Sequence, residues 1–331
     1  MSFSLARLKA HTEAFLIIFE ISTTDFEAIE LLAKPYPAPY LKHAWLGIFS
    51  WNPDKPGQHN IWFLKLPLDE QNVLLPGPRD TFLEHWLRVV QAPTKQHGDA
   101  PCSYKPDGNR MAYFHALALR TLEQPATQYY ATARAYLSGD NGWQNWQQLG
   151  LQGLAEVVAR IDEDNNDVLL CQAMPKMAAV PRNVLLGFLE NATPGLNLTL
   201  AISDSLAQVV ADNASAADLA AFARGLSGSS SVPQRQQLLG AILAHPEARS
   251  IEVLSAIGSR CWLDLSDERL QIYLEHLAAV GQDSFITLIA DLMTLPSMRE
   301  RILAAFRNPE RSDTLSAAIG KLMNLARENM Q

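Results

Sequence analysis

The stretch Ser215–Leu226, "SAADLAAFARGL", decides how most of this chain folds. Ser215 and Asp218 have the spacing of a capping box with Asp in place of Glu, so a helix begins there. The apolar block "LAAFARGL" follows at helix period. Comparable blocks recur in phase on both sides: "LLGFLENA", "LLGAILAH", "VLSAIGSR", "YLEHLAAV", "LIADLMTL" and "ILAAFRNP". Helix starts are expected near Arg182, Leu198, Ala216, Pro233, Arg249, Asp267, Asp283, Ser297 and Asp313. The step is about 17 residues, hence about 34 per helix pair, the period of helical-hairpin repeats. Ser297-Met-Arg-Glu300 reads as a full capping box, and Ser266 and Ser312 as N-caps. Small residues at the block centres let neighbouring helices approach closely. The match to named repeat consensuses is loose, so the expectation is an α-solenoid-like stack of helical hairpins without a repeat family.

Upstream, "RMAYFHALALRTL", "QYYATARAYLSG", "WQNWQQLGLQGLAEVVARI" and "DVLLCQAM" continue the helical period from Arg110. Trp143 and Trp146 stand three apart on a helix, where they line a groove or, as the simpler reading, close a helix–helix contact. "IDEDNND" (161–167) places oxygens at Asp162, Asp164 and Asn166 as an EF-hand begins. The frame then needs Gly and a bidentate Glu where Asp167 and Ala173 stand, so an acidic interhelical turn is expected, with Asp167 capping the next helix.

The first hundred residues have another texture. "SLARLKAHTEAF" (4–15) reads as a short helix and "LIIFEI" (16–21) as a β-rich run. "AWLGIFSW" (44–51) and "NIWFLKLPL" (60–68) are the best strands, and "NPDKPGQH" between them reads as the long loop of an antiparallel hairpin. "TFLEHWLRVV" (81–90) is a helix with Phe82, Leu83, Trp86, Leu87 and Val90 on one face, and residues 92–109 read as a linker. The expected domains are therefore 1–100, an α+β module with a short antiparallel sheet, and 101–331, a helical repeat-like domain.

Candidate chemistry centres on "IWFLKLPLDEQ" (61–71). Alternation puts Trp62, Leu64, Leu66 and Leu68 on one strand face, and Ile61, Phe63, Lys65 and Pro67 on the other. Asp69, Glu70 and Gln71 follow where strand becomes loop, and Arg79 and Asp80 return soon after. One reading is a polar site with Asp69 or Glu70 as acid/base and Lys65 or Arg79 as electrophilic partner. The other is that the acids end the strand and Thr81-x-x-Glu84 caps the next helix. Trp62, Lys65, Asp69, Glu70, Gln71, Arg79, Asp80, Trp143 and Trp146 are the candidate contact or ligand surface, and no catalytic or metal-ligating residue is assigned.

"WFLKLPLDEQ", "RDTFLEHWL", "RMAYFHALA" and "YYATARAYLSGDNGWQNWQQLGLQGLAEVVARI" together resemble an uncharacterised bacterial family that carries only a domain-of-unknown-function label. They cover roughly 60–160, and the repeat-like remainder completes the family's pattern. The resemblance implies a soluble bacterial protein and brings no reaction, ligand or catalytic residue. "IIFEIST" near residue 20 departs from the family's first strand.

The totals narrow the functions. The 331 residues carry a net charge of −8, with 48% hydrophobic and 19% charged residues, enough for a normal core. Neither the first hundred residues nor the remainder is basic, which disfavours nucleic acid and anionic membranes. Cys102, Cys171 and Cys261 are too scattered for a disulfide framework or a zinc site. No two histidines form HxxxH or HExxH, and GxGxxG, Walker A and GxSxG patterns are absent. The N-terminal apolar core, Phe15 to Phe19, is too short for a signal or a membrane span, so a cytoplasmic location is the default. The expectation is an α+β, mostly α protein without cofactor. It holds an unknown protein partner in an unspecified oligomeric state, with an enzyme of unknown reaction as the alternative.

Overall fold

The computed structural model describes residues 12–16, 21–37, 39, 41–52, 55–91, 98–295 and 297–328. The chain is mostly α-helical with one small antiparallel sheet, and it divides into Met1–Gln124 and Pro125–Gln331. The division falls after residue 124, beyond the expected 100, because a helix at 108–121 packs on the sheet.

In the first unit β1 (Thr12–Leu16) precedes α1 (Thr23–Glu30), then β2 (His43–Asn52) and β3 (Lys55–Pro67) follow in sheet order β1-β2-β3. The helix expected over 4–15 is corrected at its end. Residues 4–11 lie outside the described residues, and Thr12–Leu16 is a strand paired with β2 from Thr12↔Ser50 to Leu16↔Leu46. A neighbouring strand overrides a local helical pattern here. The β-rich run at 16–21, and with it the family departure near residue 20, falls partly on 17–20, also outside the description. The long hairpin loop is corrected too. β3 starts at Lys55, only residues 53 and 54 join the strands, and a register shift at Trp51/Asn52 absorbs the mismatch.

Both faces of the β2–β3 ladder are covered. Leu64, Leu66 and Leu68 join Ala44, Leu46 and Ile48 beneath Ile29 of α1 and Phe82, Leu83 and Trp86 of α2 (Pro76–Gln91). Each leucine buried there contributes about 2 kcal/mol relative to exposure. On the opposite face Phe49, with Ile61 and Phe63, meets Phe114 and Ala118 of α3 (Gly108–Thr121). Gly47 permits that approach, since a Cβ there would lie 2.4 Å from the Phe114 ring. Part of the expected linker is ordered against β3: Lys65 N donates to Cys102 O at 2.8 Å, and Tyr104 N to Phe63 O at 2.9 Å.

The second unit contains α4 (Gln128–Leu137), α5 (Leu151–Ala159), α6 (Asn166–Ala173), α7 (Ala179–Leu189), α8 (Leu196–Ala211) and α9 (Ala216–Ser227). There follow α10 (Val232–Ala244), α11 (Ile251–Arg260), α12 (Asp267–Val280), α13 (Gln282–Leu292), α14 (Met298–Ala305) and α15 (Asp313–Glu328). From α7 onward every start lies within three residues of the sequence expectation.

The helices alternate between two layers: α4, α6, α8, α10, α12 and α14 each contact the next even-numbered helix, and α5 through α15 do the same among the odd-numbered ones. Helices α5, α7 and α9 are buried along most of their length, the polar Glu156, Arg182 and Asp218 among the buried residues. Gly225 of α9 shows why small residues sit there, because a Cβ would come within 2.5 Å of the Leu186 side chain on α7.

Caps and ion pairs hold the layers in phase. The Ser215/Asp218 capping box is complete, and Ser266 and Ser312 accept from the Arg269 and Leu315 amides. Ser297 is different: its φ of 64° is left-handed and its hydroxyl caps nothing, so the box expected there does not form. Arg182 donates to Asp218 at 2.6 Å, 36 residues away, and Arg301 to Asp267 at 3.1 Å, 34 away. Arg235 grips Asp264 with two hydrogen bonds, 2.7 and 3.1 Å, across 29 residues. The first two separations repeat the period read from the apolar blocks. Lys176 and Lys321 are the only lysines after residue 124, every other basic residue there being arginine. The planar guanidinium fork is suited to bridging a carboxylate and a backbone carbonyl at once, as Arg235 does with Asp264 and Ser229 O.

Candidate functional site

The turn after β3 is built by Asp69. Its Oδ1 accepts from the amides of Gln71 at 2.8 Å and Val73 at 2.9 Å, while its own N–H donates to Val73 O. This Asx-type closure, with Asn72 at φ 61°, turns the chain back so that Leu68 bridges Leu74. Glu70 and Gln71 are exposed at its tip.

The helix that follows starts at Pro76, five residues before the expected Thr81, because Pro76 and Pro78 occupy a first turn whose amides need no partner. Thr81 is therefore inside α2, donating to Gly77 O at 2.9 Å, and the Thr81/Glu84 capping box is corrected to an ordinary helical turn.

The charged candidates do not converge. Arg79 pairs with Asp80 at 2.6 Å and donates through Nη1 to Glu30 O at 2.6 Å, securing the end of α1. Lys65 lies on the α3 face of the sheet, its Nζ 4.9 Å from the centre of the Trp45 ring. Arg79 and Lys65 thus work on opposite sides of β3. Trp62 is half-buried and meets Phe82 edge-on at 5.9 Å, a packing contact on the α2 side.

Trp143 and Trp146 stand on a 3₁₀ segment, Trp143–Gln148, in place of the expected α-helix. The segment is kinked at Asn145, between the two tryptophans (φ −92°, ψ 25°), so helical period does not align them. Trp143 packs edge-on against Tyr136 at 5.4 Å, above Gly139 at φ 86°, so its part is to close a helix contact; Trp146 is half-buried beside it.

The acidic turn at 161–167 is internally occupied. Asn166 is buried and donates to Arg160 O at 2.7 Å and to the Tyr130 hydroxyl at 2.9 Å, and it accepts from Arg134. Tyr130 in turn donates to Asp164 at 2.8 Å. Asp167 lies inside α6 and does not cap it. Among the described residues no three metal-ligating side chains gather. Burial raises the thiols of Cys171 and Cys261, the latter to about 12, so neither is an activated nucleophile.

Sequence reasoning missed the feature that the helical unit does expose. Val168 of α6, Leu196 and Leu200 of α8, Val232 of α10 and Ile272 of α12 are exposed on successive even-numbered helices. In α8 the sole ionisable residue is Asp204, and in α10 it is Arg235, which Asp264 occupies. A surface layer normally carries about 25–35% charged residues. The available signal was the spacing of Val168, Leu200 and Val232, each 32 residues from the last, outside the repeated blocks.

Among the described residues no helix is long and apolar enough to cross a membrane. No curated protein and no solved structure matches the chain. One family model does match, that of DUF3549, a family of proteins of unknown function, over residues 17–323; with nearly its whole length covered, the chain belongs to that family.

Proposed function

We propose that the chain is a non-catalytic scaffold that holds another protein, working as an α-solenoid in a bacterial cytoplasm and binding neither nucleic acid nor membrane. The observation that carries this reading is the set of exposed aliphatic side chains on α6, α8, α10 and α12, with one ionisable residue each in α8 and α10. Exposed apolar side chains arranged in a series across adjoining elements have the character of protein contact surfaces. A stack of helix pairs offers such surface without any reactive group of its own. The Asp69–Asp80 turn is a second, smaller contact candidate, since Glu70 and Gln71 stand free at its tip.

Cross-linking in a native lysate, followed by mass spectrometry, tests the reading. Links from one stoichiometric protein should concentrate on α6–α12 and vanish in a Leu200→Asp chain that folds normally. Links scattered evenly over both units, unchanged by that substitution, would refute it.

A further inference from the structure

Independently of the docking reading, we propose that two copies of the chain pair through the last two turns of α15, antiparallel about a two-fold axis.

The surface lies on one helix. Leu315, Ala318, Leu322 and Leu325 follow at steps of three, four and three residues, the heptad stripe of a helix that packs on another helix. The chain itself covers only the first half of that stripe. Leu315 and Ala318 are buried, Leu322 is half-buried, and Leu325 is 43% exposed. Hydrogen bonds end at the same place: Ser312 N donates to Glu275 of α12 at 3.0 Å, and Gln282 of α13 donates to Ala318 O at 3.1 Å. Beyond Ala318, no hydrogen bond joins α15 to another element among the described residues. Ile319 and the exposed Met323 widen the apolar strip along one flank.

Charge names the occupant. Lys321 and Glu328 stand seven residues apart on the other flank, both exposed and neither ion-paired among the described residues. An antiparallel pairing that sets Leu322 level with the second copy's Leu325 brings Lys321 within about 3 Å, along the helix axis, of the second copy's Glu328. The two-fold axis makes that contact twice. A parallel pairing would instead set Lys321 against Lys321 and Glu328 against Glu328. Charged positions flanking an apolar seam decide orientation and partner in paired helices. α15 carries two acids, Asp313 and Glu328, and two bases, Lys321 and Arg327. A second copy therefore meets no net repulsion there, despite the chain's charge of −8. In this register the second copy's Glu328 stands level with Ile319, so the added helix covers the turns that α12 and α13 leave open.

The other exposed aliphatic groups name no occupant. α8 also exposes two, Leu196 and Leu200, but its one ionisable residue, Asp204, finds no opposite charge in a copy of itself. Leu151, Val168, Val180, Val232, Ile251 and Ile272 stand one to a helix. Two helical turns bury less than a standard interface, so the α15 pair forms weakly and dissociates readily.

Sedimentation equilibrium of the full chain, over a micromolar-to-millimolar series, reads the pairing. The parent should exchange between monomer and dimer. Leu325→Glu should weaken the dimer about tenfold or more, at an unchanged melting temperature because Leu325 is exposed. Lys321→Glu and Glu328→Lys should each weaken it severalfold. Joined in one chain they should restore it, and the two single variants mixed in equal amounts should pair better than either alone. Leu200→Asp should leave the dimer intact.

A chain that stays monomeric throughout, or a dimer that Leu325→Glu leaves unchanged, overturns the proposal. So does a dimer lost in Leu200→Asp, which places the contact on α8. Failure of the double exchange to restore what each single exchange lost refutes the antiparallel register. Assemblies larger than a dimer refute the closed two-fold pair.

Discussion

Gly47 and Asp291 carry costs of opposite kinds. At Gly47 the missing Cβ lets the Phe114 ring sit against β2, and a methyl group there would meet ring carbons at 2.4 and 2.8 Å. Gly47→Ala should cost about 1–3 kcal/mol in urea unfolding, because the α3 face must shift to accept it. A loss under a few tenths of a kcal/mol would show that α3 packs more loosely. At Asp291, on α13, burial raises the carboxyl above its ordinary 3.8. The folded chain therefore binds that proton more tightly than the unfolded chain. The resulting destabilisation is absent below the unfolded value and grows as pH rises through the raised folded one. Asp291→Asn should raise Tm at pH 7 and leave it unchanged near pH 3. Equal Tm shifts at both would disprove the burial penalty. Neither cost follows from the residue types, since a Gly in a strand and an Asp in a helix acquire them from neighbours far along the chain.

Helix starts test how far local chemistry reaches. At Ser215 the expected cap forms in full, with the Ser215 hydroxyl accepting from Asp218 N and Asp218 accepting from the Ser215 amide. Arg182 and Asn183 also donate to Asp218, so although burial pushes its carboxyl up, the hydrogen bonds from Ser215 and Asn183 and the Arg182 charge hold it below the ordinary range. Ser215→Ala should cost about 1 kcal/mol in thermal unfolding. An undiminished Tm would mean that the Asp218 contacts alone start the helix. At Thr81 and Ser297 the same motif fails, for different reasons. Thr81 lies within a helix begun earlier by Pro76, and Ser297 adopts a left-handed backbone that turns its hydroxyl away from the cap. A capping box is a local signal, and it is overruled where the preceding chain enters the helix along another path. The strand faces of 61–68 were more legible, because alternation decides burial wherever both faces are covered.

Across the helical unit, ion pairs one repeat apart keep successive helix pairs in register. The Arg235–Asp264 pair is the tightest test: Asp264 is only 4% exposed, so removing its cation leaves a buried carboxylate uncompensated. Arg235→Ala should cost about 3–5 kcal/mol, read in urea as earlier unfolding of the helical unit. A cost near zero would make the pair incidental. The sequence by itself determined the helical rhythm, half of the expected caps and the two faces of the hairpin, because apolar period and N-cap chemistry act within a turn or two. Only the tertiary structure decided that Thr12–Leu16 is a strand, that Lys65 and Arg79 lie on opposite sides of the sheet, and that Val168, Leu200, Val232 and Ile272 stand exposed. Pairing, burial and exposure belong to contacts between segments tens of residues apart, and those contacts exist only once the chain has closed on itself.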